Sequence, residues 1–520
     1  MRLFKRLFGK PAPAPKPAAP APKPKKAPKP DAFLDSVARY EARLKEHWAK
    51  LPPMDATTGS MAFLITPWLS SAVPMFSIET ALLIRKQGHA VSLIMDDTEV
   101  AQNAENAKHR EAIRRMVAGL ADRVAVIDMA HEPAAEGAPD LEAAKGIAAS
   151  IAIWYERGEA NAGAYFERNP NAVERIAAHF LQVRAMLTRI KPKRLFIPGG
   201  IFGLSSIYCR IAAELGIPFV TFDAGPTIMI ASKNAPAAHR KDVTSVCQRI
   251  NAEATPEELE KMHGLAMHEF NLRTKGKDAL SFQSTSDGAV DGERYDVLVP
   301  LNLRWDAAAL NCERVFPSCM AWLEALLEWI EKDGRFSVCL REHPIGRLAI
   351  AASREDYSPL MRRFNSLGAR LRHITPEESI NTYDLMRGAK VVLPFTSTVG
   401  IEASMVGKPV VVHTDCYYRE LGFCWDSSSP HEYLRLVQEA LEGKLVIDDK
   451  RRELATTAFY VTQCCSFLAG DFNPNPEPFE RWCNIPPDEL LASTNAGVFI
   501  QSLVDDEDLP MLLHKSRMAA

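Results

Sequence analysis

The segments Pro300-Leu301-Asn302-Leu303-Arg304-Trp305-Asp306, Arg341-Glu342-His343-Pro344 and Pro394-Phe395-Thr396-Ser397-Thr398-Val399-Gly400-Ile401-Glu402-Ala403 decide how the chain folds. Each polar cluster comes directly after a short apolar run, as at Val297-Leu298-Val299 and Val338-Cys339-Leu340. That order places each cluster at the carboxyl end of a buried parallel strand. In an open α/β sheet this edge is where ligands bind.

Around these segments, strands are predicted over residues 295–300, 336–340, 371–374, 389–393 and 409–413, with helices over 312–333, 357–367, 379–386 and 397–407. Upstream, 62–66, 89–95, 192–198 and 216–222 read as buried strands, and 31–50, 77–87 and 205–215 as helices. Residues 99–188 are helix-compatible, and 227–292 form a polar, helix-prone connector. The expected fold class is α/β, with two Rossmann-like doubly wound domains facing a central cleft. The first spans 31–285 with a helical insertion, the second 286–470, and 471–520 is a C-terminal extension that either packs back across the domains or lies outside them. Small polar residues over 284–292 mark the boundary.

A length of 520 residues allows two or three domains with substantial cores. A formal net charge of −3 argues against a nucleic-acid partner held by a general basic surface. The ten cysteines include no C-x-x-C pair, and Cys464 and Cys465 are adjacent, which suits neither a zinc site nor a secreted disulfide framework. A reducing cytoplasmic compartment fits. No apolar run reaches the roughly 18–20 residues of a spanning helix. Residues 1–30 carry bases but no acid and, from Pro11 on, little beyond Pro, Ala and Lys, the composition of an extended linker. Within the first ten, Leu3, Phe4, Leu7 and Phe8 recur at helical spacing among bases. This pattern suits either a weak anchor on the inner face of a membrane or an unstructured solubilising tail.

Ser397 and Thr398 precede a helix start, where hydroxyls and unpaired N–H groups can hold a phosphate or simply cap the helix. Glu402, an acid in an otherwise apolar helix, suits a pair of ribose hydroxyls if it faces the cleft and is an ordinary solvated helix acid if it does not. An imidazole of near-neutral pKa at His343, beside Arg341, can donate to a phosphate and offset leaving-group charge. Asn302, Arg304 and Asp306 point to the same cleft, although a turn-capping Asp explains Asp306 as well. Asp223, after the last strand of the first domain, either deprotonates an acceptor hydroxyl or closes an Asx turn with Ala224-Gly225-Pro226. The G-x-G-x-x-G fingerprint is missing where Thr66-Pro67-Trp68-Leu69-Ser70 stands, which counts against a nicotinamide or flavin enzyme. The histidines show no H-E-x-x-H spacing and Asp96-Asp97 no metal-binding alternation, so no metal or cofactor is expected.

These segments resemble the capsule polysaccharide biosynthesis family of bacterial glycosyltransferases, which includes Kdo transferases with a two-Rossmann, GT-B type fold. Its members carry a Pro-Leu-Gln loop ending in Asp, an Arg or Gln before a His-Pro pair, and a Ser-Thr-x-Gly-x-Glu-Ala segment closed by Gly-Lys-Pro-Val. Here these are Pro300-Leu301-Asn302 through Asp306, Arg341-Glu342-His343-Pro344, and Ser397 through Ala403 with Gly407-Lys408-Pro409-Val410. The match covers roughly residues 295–425, and Asn302 replaces the usual Gln. The resemblance implies that His343, Ser397, Thr398 and Glu402 bind the nucleotide of a donor such as CMP-Kdo or another CMP- or UDP-sugar. It implies Asp223 as the acid of the acceptor side and a surface-glycan or protein acceptor. A UDP-sugar 2-epimerase is the rival enzyme, and a non-catalytic GT-B-like scaffold in glycan assembly or export the rival from another class.

Overall fold

The computed structural model describes residues 31–54, 59–67, 73–98, 107–224, 228–277, 294–469 and 485–519. The basic N-terminal segment, the 284–292 boundary and the Pro/Asn-rich turn after Asp471 lie outside the described residues.

Two sheets organise the molecule. The first contains β1 (Met61–Ile65), β2 (Val91–Met95), β3 (Ala125–Asp128), β4 (Arg194–Pro198), β5 (Phe219–Ala224) and β6 (Ile228–Lys233). The second contains β7 (Val297–Pro300), β8 (Val338–Arg341), β9 (Leu371–Ile374) and β10 (Val391–Val392), and a parallel bridge from Val392 to Val410 continues it into β11 (Val411–Val412) and β12 (Trp425–Asp426). The last strand, β13 (Leu468–Ala469), returns to the first sheet, whose order is β13-β6-β5-β4-β1-β2-β3, while the second runs β10-β7-β8-β9. β1 to β5 are mutually parallel, as are β7 to β10; β6 is antiparallel to β5, and β13 to β6. The architecture is therefore two doubly wound α/β units, as the alternation of runs and helices predicts.

Strand alternation sorts side chains into three cores. Ala62, Leu64, Leu195 and Ile197 pack one face of the first sheet onto helices Leu141–Glu156, Ala172–Ile190 and Gly203–Glu214. Val297, Val299, Val338 and Leu340 pack one face of the second sheet onto helices Cys319–Asp333 and Pro430–Leu441. Between these lies a shared core. Phe63 and Phe196 from the first sheet and Leu298 and Cys339 from the second belong to it, together with Phe270, Phe459 and Phe499 of the long helices. Phe196 stacks on Phe222 at 4.7 Å, and Phe76 stacks on the same ring at 4.9 Å.

Two expectations need correction, and a third is narrowed to one of its alternatives. Residues 99–188 contain β3, a four-residue strand that is only partly buried, and this weakens its apolar signal. The helix-prone connector after residue 227 begins with β6, whose antiparallel pairing with β5 depends on tertiary context rather than local pattern. The C-terminal extension packs back. The backbone of Leu503 accepts from Arg194, and Asp506 pairs with Arg194 at 2.7 Å and Lys233 at 3.0 Å, so the acidic run seals the amino-terminal edge of the first sheet. Among the described residues, no helix is long and apolar enough to cross a membrane.

At the carboxyl end of β2, Asp96 is fully buried with Oδ2 2.7 Å from His179 Nε2 and accepts from the Tyr208 hydroxyl at 2.8 Å. Burial lowers the His179 pKa, but the hydrogen bond and charge of Asp96 outweigh it and hold the imidazole above its ordinary 6.5. A raised folded-state value means that this stabilisation is fully present below about pH 6.5 and is lost as pH rises through the folded value. Asp96→Asn is expected to lower stability by about 3–5 kcal/mol at low pH, because it breaks a buried pair. The fall in thermal midpoint between about pH 6 and pH 9 should be smaller in the variant than in the parent protein. Parallel pH profiles for the two would disprove the assignment.

Candidate active site

The carboxyl edge of the second sheet is held together by its own polar side chains. Asn302 Oδ1 accepts from the Thr396 N–H at 3.2 Å, and the Thr396 hydroxyl donates to the Ala308 carbonyl at 2.7 Å, so the loops after β7 and β10 are tied to each other. Ser397 Oγ accepts from the Val399 N–H at 3.3 Å, one residue ahead of the N-cap Thr398, whose own side chain makes no capping bond. The Ser397 carbonyl accepts from the Tyr418 hydroxyl at 2.8 Å. A Cβ at Gly400 would stand 2.5 Å from that hydroxyl oxygen, so the motif glycine is required by packing.

His343 is half-buried on the adjoining loop, and its Nδ1 accepts from the Ile345 N–H at 3.2 Å. In the neutral ring the proton then sits on Nε2. The near-neutral pKa expected from sequence is corrected: burial, then the charges of Arg273 and Arg341, push the imidazole down to about 4. His343 is therefore a neutral hydrogen-bond donor at pH 7.

Arg273 is the residue the sequence did not reveal. It stands in the last turn of helix Pro256–Thr274 and reaches the second sheet's edge. Its guanidinium pairs with Glu402 at 2.8 Å and donates to Thr398 Oγ1 at 3.2 Å, the Tyr383 hydroxyl at 3.1 Å and Gln463 Oε1 at 2.9 Å. Glu402 itself has 0% exposure, enclosed in helix Val399–Met405. Its carboxylate answers a cation of its own chain, and Arg273 stands where a ribose was expected.

Two further arginines take structural jobs. Arg341 is buried and donates to the Ile380 carbonyl at 3.1 Å and to the Thr375 carbonyl, fixing the loop after β9. Arg304, also buried, ties the two halves by reaching Glu159 of the first at 3.2 Å, Glu313 at 2.8 Å and the Ala309 carbonyl at 3.1 Å. Neither points its charge at open solvent. Around this junction the Glu159 N–H donates to Glu355 at 2.7 Å and the Arg354 N–H to the Arg157 carbonyl at 2.7 Å. The Arg157 guanidinium lies 4.0 Å from the centre of the Trp305 ring.

A cavity of about 250 Å³ opens where the two carboxyl edges meet. Thr66, Pro198, Phe222 and Asp223 line it from the ends of β1, β4 and β5, and Trp305, Asp306 and Ala307 from the loop after β7. Asp223 and Asp306, read from sequence as belonging to opposite sides, thus share one chamber. Asp306 Oδ1 caps the short turn at Ala307–Ala309 by accepting from the Ala308 N–H at 3.2 Å. Its carboxyl is open to the chamber but surrounded by protein, and this desolvation holds it above the usual carboxylate range. Gly199 and Gly200, at φ of 68° and 98°, turn the chain beside the chamber. A Cβ at Gly200 would also press on Thr221 and Cys209 at 3.1 and 3.2 Å.

Residues 254–460 match the model of a family described as capsule polysaccharide biosynthesis protein, and this stretch contains all three decisive motifs. The family read from those motifs is thereby borne out over that region. No curated protein matches the chain. Among solved structures, the chain is similar to a beta Kdo 2,7 transferase, KpsC of Thermosulfurimonas dismutans, with 16% identity, 63% of this chain and 89% of that chain covered, and a TM-score of 0.35. A second KpsC structure from that organism, a beta Kdo 2,4 transferase, gives 13% identity, coverage of 51% and 79%, and a TM-score of 0.32. The UDP-GlcNAc 2-epimerase of Neisseria meningitidis gives 13% identity, coverage of 83% and 100%, and a TM-score of 0.23.

Arg273→Ala strands Glu402 in a buried site and is expected to lower stability by about 3–5 kcal/mol. The paired replacement of Arg273 and Glu402 by Met should recover most of that loss, since an apolar pair of similar volume tolerates burial. Denaturant unfolding of the single and double variants measures the difference.

Proposed function

We propose that the chain is a glycosyltransferase that moves a sugar from a nucleotide-activated donor to a hydroxyl of a glycan or glycosylated acceptor. The observation carrying this reading is the meeting of two parallel-sheet carboxyl edges. One bears hydroxyls, a neutral imidazole and an arginine, while carboxylates from both halves share the adjoining chamber. In this reading the donor, CMP-Kdo or another CMP- or UDP-sugar, lies on the second unit with its phosphate toward Ser397, Thr398 and His343. The first unit holds the acceptor.

The chemistry follows from charge placement. Asp223 takes the proton from the acceptor hydroxyl as its oxygen bonds to the anomeric carbon. The bond from that carbon to the phosphate oxygen breaks, and the phosphate leaves with the electron pair. The Nε2–H of His343 donates to the departing oxygen, and the charge of Arg273 beside it favours the developing anion. Closing the cleft on the substrates would keep out water that would hydrolyse the donor. No step requires a metal, so transfer should persist in a chelator. Attachment of the first ten residues to a membrane surface is a separate proposal, tested by vesicle sedimentation.

Calorimetric titration with CMP, UDP and GDP tests the reading directly, because a chain that binds none of them is not this enzyme. His343→Ala is expected to lower turnover by about 10²-fold or more with nucleotide affinity nearly unchanged. Since the folded imidazole titrates near 4, turnover should show no His343-dependent fall between about pH 5 and pH 8. Release of free sugar or epimerised nucleotide sugar without an acceptor would instead favour the epimerase.

A further inference from the structure

We propose that the chamber shared by Asp223 and Asp306 is an acceptor subsite for one uncharged sugar ring, and that it rejects sugars carrying a carboxylate or phosphate at that position. This inference rests on the glycosyltransferase reading and adds the chemical class of its acceptor.

Size comes first. A volume of about 250 Å³ lies at the small end of ligand pockets, the scale of one sugar ring and not of a chain. Chain-length recognition would need a longer groove.

The walls supply the chemistry. Trp154, Phe202, Phe222 and Trp305 give the chamber aromatic surface, which suits the C–H faces of a sugar ring. Asp223 and Asp306 supply acceptor oxygens for hydroxyl donors, with Ser205 as a third polar group. This combination of apolar panels and a few placed polar groups is typical of small-ligand sites.

The charge pattern then discriminates. Among the described residues, no lysine, arginine or histidine lines the chamber. The nearby cation Arg157 sits over the rings of Trp305 and Trp154 at 4.0 and 5.3 Å and is not part of the wall. Arg240 exerts its charge on Asp306 and is likewise outside the wall. An anionic sugar entering here would lose hydration and meet two carboxyl groups with no partner for its charge. A neutral ring meets no such barrier.

The test titrates the full chain with methyl glycosides of glucose, galactose and mannose and with their matched uronates. Tryptophan fluorescence and saturation-transfer NMR report binding, and CMP and UDP are titrated in the same preparation. At least one neutral glycoside is expected to bind in the millimolar range, at least about tenfold more tightly than its uronate. In the D223N/D306N double variant, where the amide at position 306 retains the capping oxygen, that gap should shrink to about twofold or less. Circular dichroism and thermal midpoint establish that the variant is folded, and the comparison in the parent chain stands without it. Equal or tighter binding of the uronate, an unchanged gap in the folded variant, or no binding of any neutral glycoside overturns the proposal. Nucleotide binding alongside such a failure sinks the subsite alone, whereas loss of nucleotide binding sinks the enzyme assignment whatever the sugars do.

Discussion

The charge pair between Arg273 and Glu402 sets the geometry of the whole cleft. Glu402 is completely enclosed, so its carboxylate must be met by a cation or take up a proton. Arg273 meets it from a different helix, and its remaining N–H groups are then directed to Thr398, Tyr383 and Gln463. One guanidinium thereby fixes helix Pro256–Thr274, helix Val399–Met405 and the π-helical segment Val461–Cys465 in mutual register. The same positive charge lies close enough to His343 to help keep that ring neutral. Packing and electrostatics at the proposed donor site are consequently one constraint.

That constraint acts across the molecule because the two sheets share a core. The apolar faces of β1, β4, β7 and β8 converge on helices from residues 241–274 and from the segment after 449. Burial of this size is worth roughly 25 cal/mol per Å² of apolar surface, so separating the units completely is expensive. The polar ties through Arg304, Glu159 and Glu355 join the two units beside Trp305, with the Arg304 guanidinium itself buried.

Much of this was legible in sequence for a definite reason. Central parallel strands are buried on both faces, so Ala62-Phe63-Leu64-Ile65 and Val297-Leu298-Val299 advertise themselves as apolar runs. β3 and β6 lie toward the edges of their sheet, where only part of the strand is covered, and the apolar signal fades. At the site, residue types were readable but their partners were not. Asn302, Ser397 and Thr398 stand at the expected edge, yet Arg304, Arg341 and Glu402 turned out to be satisfied internally. A local motif cannot show which distant group will neutralise a charge, and Arg273, 129 positions before Glu402, carries no motif at all.

The motif Gly407-Lys408-Pro409-Val410 illustrates the same distinction from the other direction. Its cation, Lys408, is used locally. Here its Nζ donates to the carbonyls of Arg387 and Ala389 at 2.6 and 2.9 Å, at the end of helix Thr382–Gly388. That places it at the amino-terminal entrance of β10 and β11, on the edge of the sheet away from the chamber. Capping a helix C-terminus with a cation satisfies orphan carbonyls and opposes the helix dipole. The motif thus secures the turn that feeds β11. Cationic and hydrogen-bond-donating groups at the cleft come instead from Arg273 and His343, and carboxylates from Asp223 and Asp306. In the proposed transfer, separating these two chemistries along one cleft would let a departing phosphate and an incoming hydroxyl each meet the charge that favours it.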